Sequence, residues 1–244
     1  MTAEPPLRLI LDSVSCHVYF FGDLSSYDKT PLFIMPSGEN ADDLMEYQHK
    51  RLDPYILSGK MPPHAMAVFE TKNWNDDLSL WPAHALGKGQ PDFGGFAQKT
   101  LEWIQESLIP AVISLVPPLR DSPKGLMGYS LGGLFAVWAV CRIPAFAVCA
   151  SCSGSLWYEG FVDYLERHGP AAPCSLYISL GEKEEKARNP RLAMVGEAAR
   201  QTVALFKASA MAREVELAWH PGGHGSAADE RLTVALEWMK NVCH

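Results

Sequence analysis

The sequence predicts an α/β fold with a mostly parallel central sheet and helices on both faces. Short runs of branched and aromatic residues alternate with longer amphipathic stretches over most of the chain, and that alternation implies crossover connections. No repeat with a period of 20–50 residues and no low-complexity tract offers another architecture. The composition is that of an ordinary globular protein: 244 residues, 48% hydrophobic and 20% charged, which one α/β domain spanning 1–244 accommodates.

LRLILDS (7–13) and SCHVYFF (15–21) read as two opening strands. PLFIMPSG (31–38) is an apolar run ending in turn residues, so a buried strand, and AMAVFET (65–71) is another. Between Phe96 and Val116, residues Leu101, Trp103, Ile104, Leu108, Val112 and Ile113 fall at helical spacing, with Pro110 kinking or dividing the helix. Four strand–helix pairs follow. The strands are 124–130, 145–154, 175–181 and 213–220; the helices are 131–141, 157–169, 191–209 and 228–242. In such sheets chemistry collects at the carboxyl ends of the strands.

One such end carries Gly128-Tyr129-Ser130-Leu131-Gly132, a G-x-S-x-G pentapeptide between an apolar strand and an apolar helix. A strand turning this sharply into a helix holds its serine in a strained conformation and leaves no room for side chains at the glycines. Ser130 is the candidate nucleophile. The Leu131 amide, at the helix N-terminus, is a candidate oxyanion donor.

A partner histidine belongs on a loop after the last strand. That strand ends at His220, and Pro221-Gly222-Gly223-His224-Gly225 follows; His224 is favoured and His220 is second. The other histidines follow no late strand and read as surface or hydrogen-bonded structural residues. The acid belongs between serine and histidine in the chain. Glu182, Glu184 and Glu185 all lie just past strand 175–181; Glu184 is favoured because a three-residue loop curls back, Glu159 and Asp163 are remote alternatives, and a Ser–His dyad without a bound acid is a further one. Trp74, Trp81, Trp157 and Tyr158 fall past strand ends and are candidates for a substrate pocket, though aromatics there also cap cores. Cys149 and Cys152 form a C-x-x-C, but within a strand residues three apart face opposite sides, so neither a redox nor a zinc role is expected. No metal or cofactor is expected: P-loop and G-x-G-x-x-G signatures are absent.

GYSLGGLFAVWAV, ASCSGSLWYEGF, SLGEKEE and GGHG, in that order, resemble the putative-esterase branch of the α/β-hydrolases, which includes esterase D-like enzymes, siderophore esterases and feruloyl-type esterases. NWNDDLSLWPA (73–83) adds to the likeness, which covers roughly residue 31 to the C-terminus. The resemblance implies an α/β-hydrolase fold and an ester hydrolase with Ser130 as nucleophile, His224 as base and an acid near Glu184. It also implies a second oxyanion amide from the loop at Ser37 to Glu39, here assigned to Gly38. In that loop MPSGEN replaces the aspartate-glycine turn of better-known members.

The expected partner is a small-molecule ester. The net charge of −7 argues against nucleic acid, and no run of 18 apolar residues argues for a membrane span. With no basic-then-apolar leader and sparse cysteines, a cytoplasmic setting is expected. The alternatives are an acyltransferase using the same acyl-enzyme and a non-catalytic binding member of the fold.

Overall fold

The structure, a computed structural model, describes residues 5–24, 30–38, 41–59 and 62–243. Its strands are β1 (Leu7–Leu11), β2 (Val14–Phe21), β3 (Leu32–Ser37), β4 (His64–Glu70), β5 (Lys124–Tyr129), β6 (Val148–Cys152), β7 (Cys174–Gly181) and β8 (Ala212–His220). They form one sheet in the order β1-β2-β4-β3-β5-β6-β7-β8, antiparallel at β1/β2/β4 and parallel from β4 to β8. The chain thus has the mostly parallel α/β sheet expected. β1 and β2 are joined at Asp12-Ser13, with φ of 52° and 66°; two positive-φ residues in a two-residue loop match the right-handed twist of the strands they join.

The helices are α1 (Ala41–Leu57), α2 (Trp74–Asp77), α3 (Ala97–Trp103), α4 (Ile109–Leu115), α5 (Leu131–Val140), α6 (Phe161–His168), α7 (Pro190–Ala193), α8 (Val195–Ala208) and α9 (Ala228–Val242). Helices α1 and α9 cover one face of the sheet, over Phe33, Met35, Met127, Ala150 and Tyr177. The helices from α3 to α6, with α8, cover the other, over Ile34, Leu126, Cys149, Leu176 and Ile178. β3, β6 and β7 are buried nearly throughout, as strands covered on both faces must be. Cys149 and Cys152 fall in opposite layers.

Several elements differ from the sequence reading. The hydrophobic pattern did not announce α1: its buried Met45, Leu52 and Ile56 are interrupted by a buried Gln48 and by Pro54 inside the helix. The helix expected over 96–116 is divided by a π-helical turn at Ile104–Leu108, where the Ile109 amide donates to the Ile104 carbonyl, five residues back. Pro110 has no N–H for the next rung, so the ladder slips a residue just before it. Strand β6 is shorter than expected, α6 starts only at Phe161, and the 191–209 stretch is split into α7 and α8. The expectation for His64 fails. It is fully buried against Phe21 and Phe33, and neither ring nitrogen has a hydrogen-bond partner of normal geometry. Burial pushes its pKa well below the ordinary value.

Among the described residues no helix is long and apolar enough to cross a membrane.

Candidate active site

Parallel strands β5 to β8 end on one edge of the sheet, and their carboxyl ends deliver Ser130, Ser153, Glu184 and His224 in turn. Ser130 caps α5 with φ 55° and ψ −121°, a region an L-residue occupies only when its surroundings force it. The glycines explain how the turn closes. A Cβ on Gly128 would lie 2.4 Å from the Gly132 carbonyl carbon, and one on Gly133 would lie 2.8 Å from Ser151 Oγ. The first N–H groups of a helix have no intrahelical acceptor, so α5 presents open donors beside Ser130.

The imidazole of His224 bridges two groups. Nε2 lies 3.2 Å from Ser130 Oγ, and Nδ1 lies 2.9 Å from Glu184 Oε2. The His224 loop is held from below: Tyr129 Oη donates to the His224 carbonyl, and the Tyr129 ring meets the imidazole edge-on at 5.5 Å. Glu184 is 6% exposed. Its Oε1 accepts from Ser153 Oγ (2.7 Å), the Gly181 amide (2.6 Å) and Arg231 (3.1 Å). Burial by itself would raise the Glu184 pKa; the hydrogen bonds from His224, the Gly181 amide and Ser153 outweigh it and hold the carboxyl below its ordinary value.

Of the three glutamates, the structure brings only Glu184 to His224. Glu185 pairs with Arg200 at 2.8 Å, and Glu182 is exposed. His220 ends β8 away from Ser130, with its Nε2 buried and unpartnered; burial and then Arg231 lower its pKa. Glu159 and Asp163 belong to α6 and the turn before it, away from His224.

A cavity of about 310 Å³ opens over Ser130 and His224, walled by Leu86, Trp157, Ala187, Leu192 and Val195, with Lys183 also lining it. Trp157 is thus placed as a pocket residue. Trp74 sits beside the Ser130 turn, its ring 3.4 Å from where a Gly132 Cβ would be and 4.0 Å from that of Gly38. Trp81 and Tyr158 do not line this cavity. The Tyr158 hydroxyl donates to the Trp81 carbonyl (2.6 Å), and the Trp81 indole donates to the Glu159 carbonyl (3.0 Å), so the two clamp neighbouring loops together. Gly38 lies exposed just past β3; Glu39, the far end of the expected oxyanion loop, is outside the described residues. The Leu86 wall is strapped to α7: Arg191 donates to the His84 and Ala85 carbonyls (2.9 and 3.0 Å) and Asn189 to the Leu86 carbonyl (3.1 Å). Among the described residues no group of three or more His, Cys, Asp or Glu side chains converges as a metal shell would.

Sequence reasoning missed Ser153, Tyr129 and Arg231. Arg231 had a legible signal: with Ala235 and Met239 it lies on the buried stripe of α9, where a charged side chain needs a partner.

A family model described as "Putative esterase" matches residues 16–233. The chain belongs to this family. "Uncharacterized protein YbbA" of Bacillus subtilis (strain 168) is 26% identical over 153 residues, 62% of this chain. The match spans 61% of that relative's length, under two thirds. "Siderophore hydrolase EstB from Aspergillus nidulans" superposes with a TM-score of 0.77 at 18% identity, covering 99% of this chain and 96% of that one. An "IroE-like serine hydrolase" from Shewanella oneidensis superposes with a TM-score of 0.78 at 16% identity, covering 97% and 80%. The enterobactin esterase FES from Shigella flexneri gives 0.71 at 18% identity, covering 98% and 60%. At these identities the structural likeness establishes a shared α/β-hydrolase-like fold.

Proposed function

We propose that this chain is a serine-dependent carboxylic-ester hydrolase working through an acyl-enzyme. The observation that carries the reading is the unbroken relay from Ser130 through His224 to Glu184, with each link within hydrogen-bond reach. Ser130 Oγ attacks the ester carbonyl carbon and gives its proton to His224 Nε2. Glu184 accepts from Nδ1–H, fixing the tautomer and balancing the imidazolium that forms. The Leu131 and Gly38 amides are assigned to the tetrahedral oxyanion; one such donor typically contributes about 2.7–4 kcal/mol. Collapse breaks the bond to the alkoxide, which leaves with the proton from Nε2. Water then repeats the sequence on the acyl-enzyme, releasing the acid and freeing Ser130.

The apolar walls and the 310 Å³ volume fit an uncharged acyl group of small to medium size. Because the similar structures include proteins described as siderophore and enterobactin esterases, ester-linked siderophores belong beside simple esters in the substrate panel. The test is labelling by a fluorophosphonate probe, peptide mapping, and hydrolysis of p-nitrophenyl esters. The probe is expected on Ser130, with Ser130→Ala abolishing both labelling and turnover. Labelling elsewhere, or turnover surviving in that variant, overturns the assignment.

A further inference from the structure

We propose that Arg231 is a positioning residue that holds the acid and histidine loops in register. The inference rests on the functional reading above. Arg231 is 1% exposed in α9. One arm of its guanidinium, Nη1, donates to Glu184 Oε1 (3.1 Å) and Ser153 Oγ (2.7 Å). The other, Nη2, donates to the carbonyls of Pro221 (3.2 Å) and Gly223 (3.1 Å), the latter being the residue before His224. A single planar group therefore ties the ends of β6 and β7 to the loop that carries the imidazole.

The fork also decides which carboxylate oxygen is free. Oε1 is saturated by Ser153, the Gly181 amide and Arg231, so Oε2 is left to His224. Gly181 makes room for this: a Cβ there would lie 2.7 Å from Nη2 and 2.5 Å from the Gly222 carbonyl oxygen. A lysine has a single point of charge and cannot reach both sides of the fork.

The charge matters as much as the geometry. A buried cation is tolerable only when paired, and Glu184 pairs it. Other titratable groups face this cluster: Lys183 in the cavity wall, Tyr129 beneath the imidazole, Cys152 with its thiol on the Arg231 carbonyl, and His220 and Glu230 on either side of the loop. None of them touches both Glu184 and the His224 loop carbonyls, so removing Arg231 is the substitution that changes both terms together.

The experiment compares Arg231→Lys, Arg231→Met, Glu184→Gln and the double variant E184Q/R231M with wild type. The readouts are kcat and KM on p-nitrophenyl acetate, and the rate of fluorophosphonate labelling. Arg231→Lys is expected to lose at least thirtyfold in kcat with KM within about threefold. Arg231→Met is expected to lose more, with KM again within about threefold. The double variant removes both buried charges and so spares the fold if the single arginine variants do not express. Its kcat is expected at least about threefold below that of Glu184→Gln alone, because the Pro221 and Gly223 carbonyls of the His224 loop lose their donor as well. Wild-type kcat in Arg231→Lys or Arg231→Met, or a double variant equal to Glu184→Gln, overturns the proposal. Failure of the functional reading is a separate result: the wild-type protein itself is neither labelled at Ser130 nor active.

Discussion

Replacing Glu184 by glutamine keeps the shape of the side chain and changes one thing the relay depends on. Three donors converge on Oε1, from Ser153, the Gly181 amide and Arg231, so the carbonyl oxygen of a glutamine is held there. Its NH2 group then faces His224 Nδ1. An amide NH2 only donates, so Nδ1 must be bare and the ring proton must sit on Nε2, pointing at Ser130. That tautomer is unable to accept the serine proton. In the Ser-His-Asp template, the corresponding acid-to-amide change lowers kcat by about 10⁴. Glu184→Gln is therefore expected to lose roughly 10³–10⁴ in kcat, with KM nearly unchanged. The fold is expected to survive, because Arg231 keeps an oxygen acceptor. Leaving the buried Arg231 charge beside a neutral amide costs about 3–5 kcal/mol, or roughly 6–20 °C in Tm for a chain of this size. The assay is steady-state hydrolysis of p-nitrophenyl acetate from pH 6 to 10, with Glu182→Gln and Glu185→Gln as controls expected within about twofold of wild type. The linkage sign gives a second readout. The folded Glu184 pKa lies below its ordinary value, so the carboxylate stabilises the fold above the ordinary range, and that contribution is lost as pH falls through the lowered value. The stability gap between wild type and Glu184→Gln is accordingly expected to shrink under acid. A Glu184→Gln protein keeping kcat within tenfold of wild type would refute the tautomer argument.

Three further outcomes are expected. Ser130 sits at φ 55°, so Ser130→Gly relieves backbone strain that Ser130→Ala keeps; both are inactive, but urea unfolding is expected to find the glycine variant about 1–2 kcal/mol the more stable. Trp157 lines both the 310 Å³ cavity and an adjoining one of about 610 Å³, so Trp157→Ala joins them and should move the preferred p-nitrophenyl ester to longer acyl chains; an unchanged chain-length profile would show that Trp157 does not limit the pocket. Lys240 is 2% exposed, its Nζ lacks a partner, and burial lowers its pKa to about 7, whereas the unfolded chain holds that proton to about pH 10.4. Between those values the unfolded state binds more protons, so the wild type gains stability from this group as pH rises. Lys240→Met is therefore expected to be the more stable protein at pH 7, with an advantage that narrows toward pH 10 in denaturant midpoints.

How much of this was legible beforehand depends on the range of the interactions concerned. The strained serine turn is a local device, written in five consecutive residues whose glycines answer to backbone contacts at short range, so Ser130 could be singled out from the chain alone. The alternating strands and helices were legible for the same reason, as was the late glycine-rich loop that carries His224. Helix α1 escaped notice because a buried Gln48 and an internal Pro54 break its apolar stripe. Three neighbouring glutamates were equivalent as a string of letters. Tertiary packing separates them by burying Glu184 among donors from β6, β7 and α9 and leaving Glu185 to a surface arginine. Arg231 is the extreme case. Its partners lie 8 to 78 positions away, and no local pattern encodes which carbonyls and which carboxylate will surround a guanidinium once the sheet has formed.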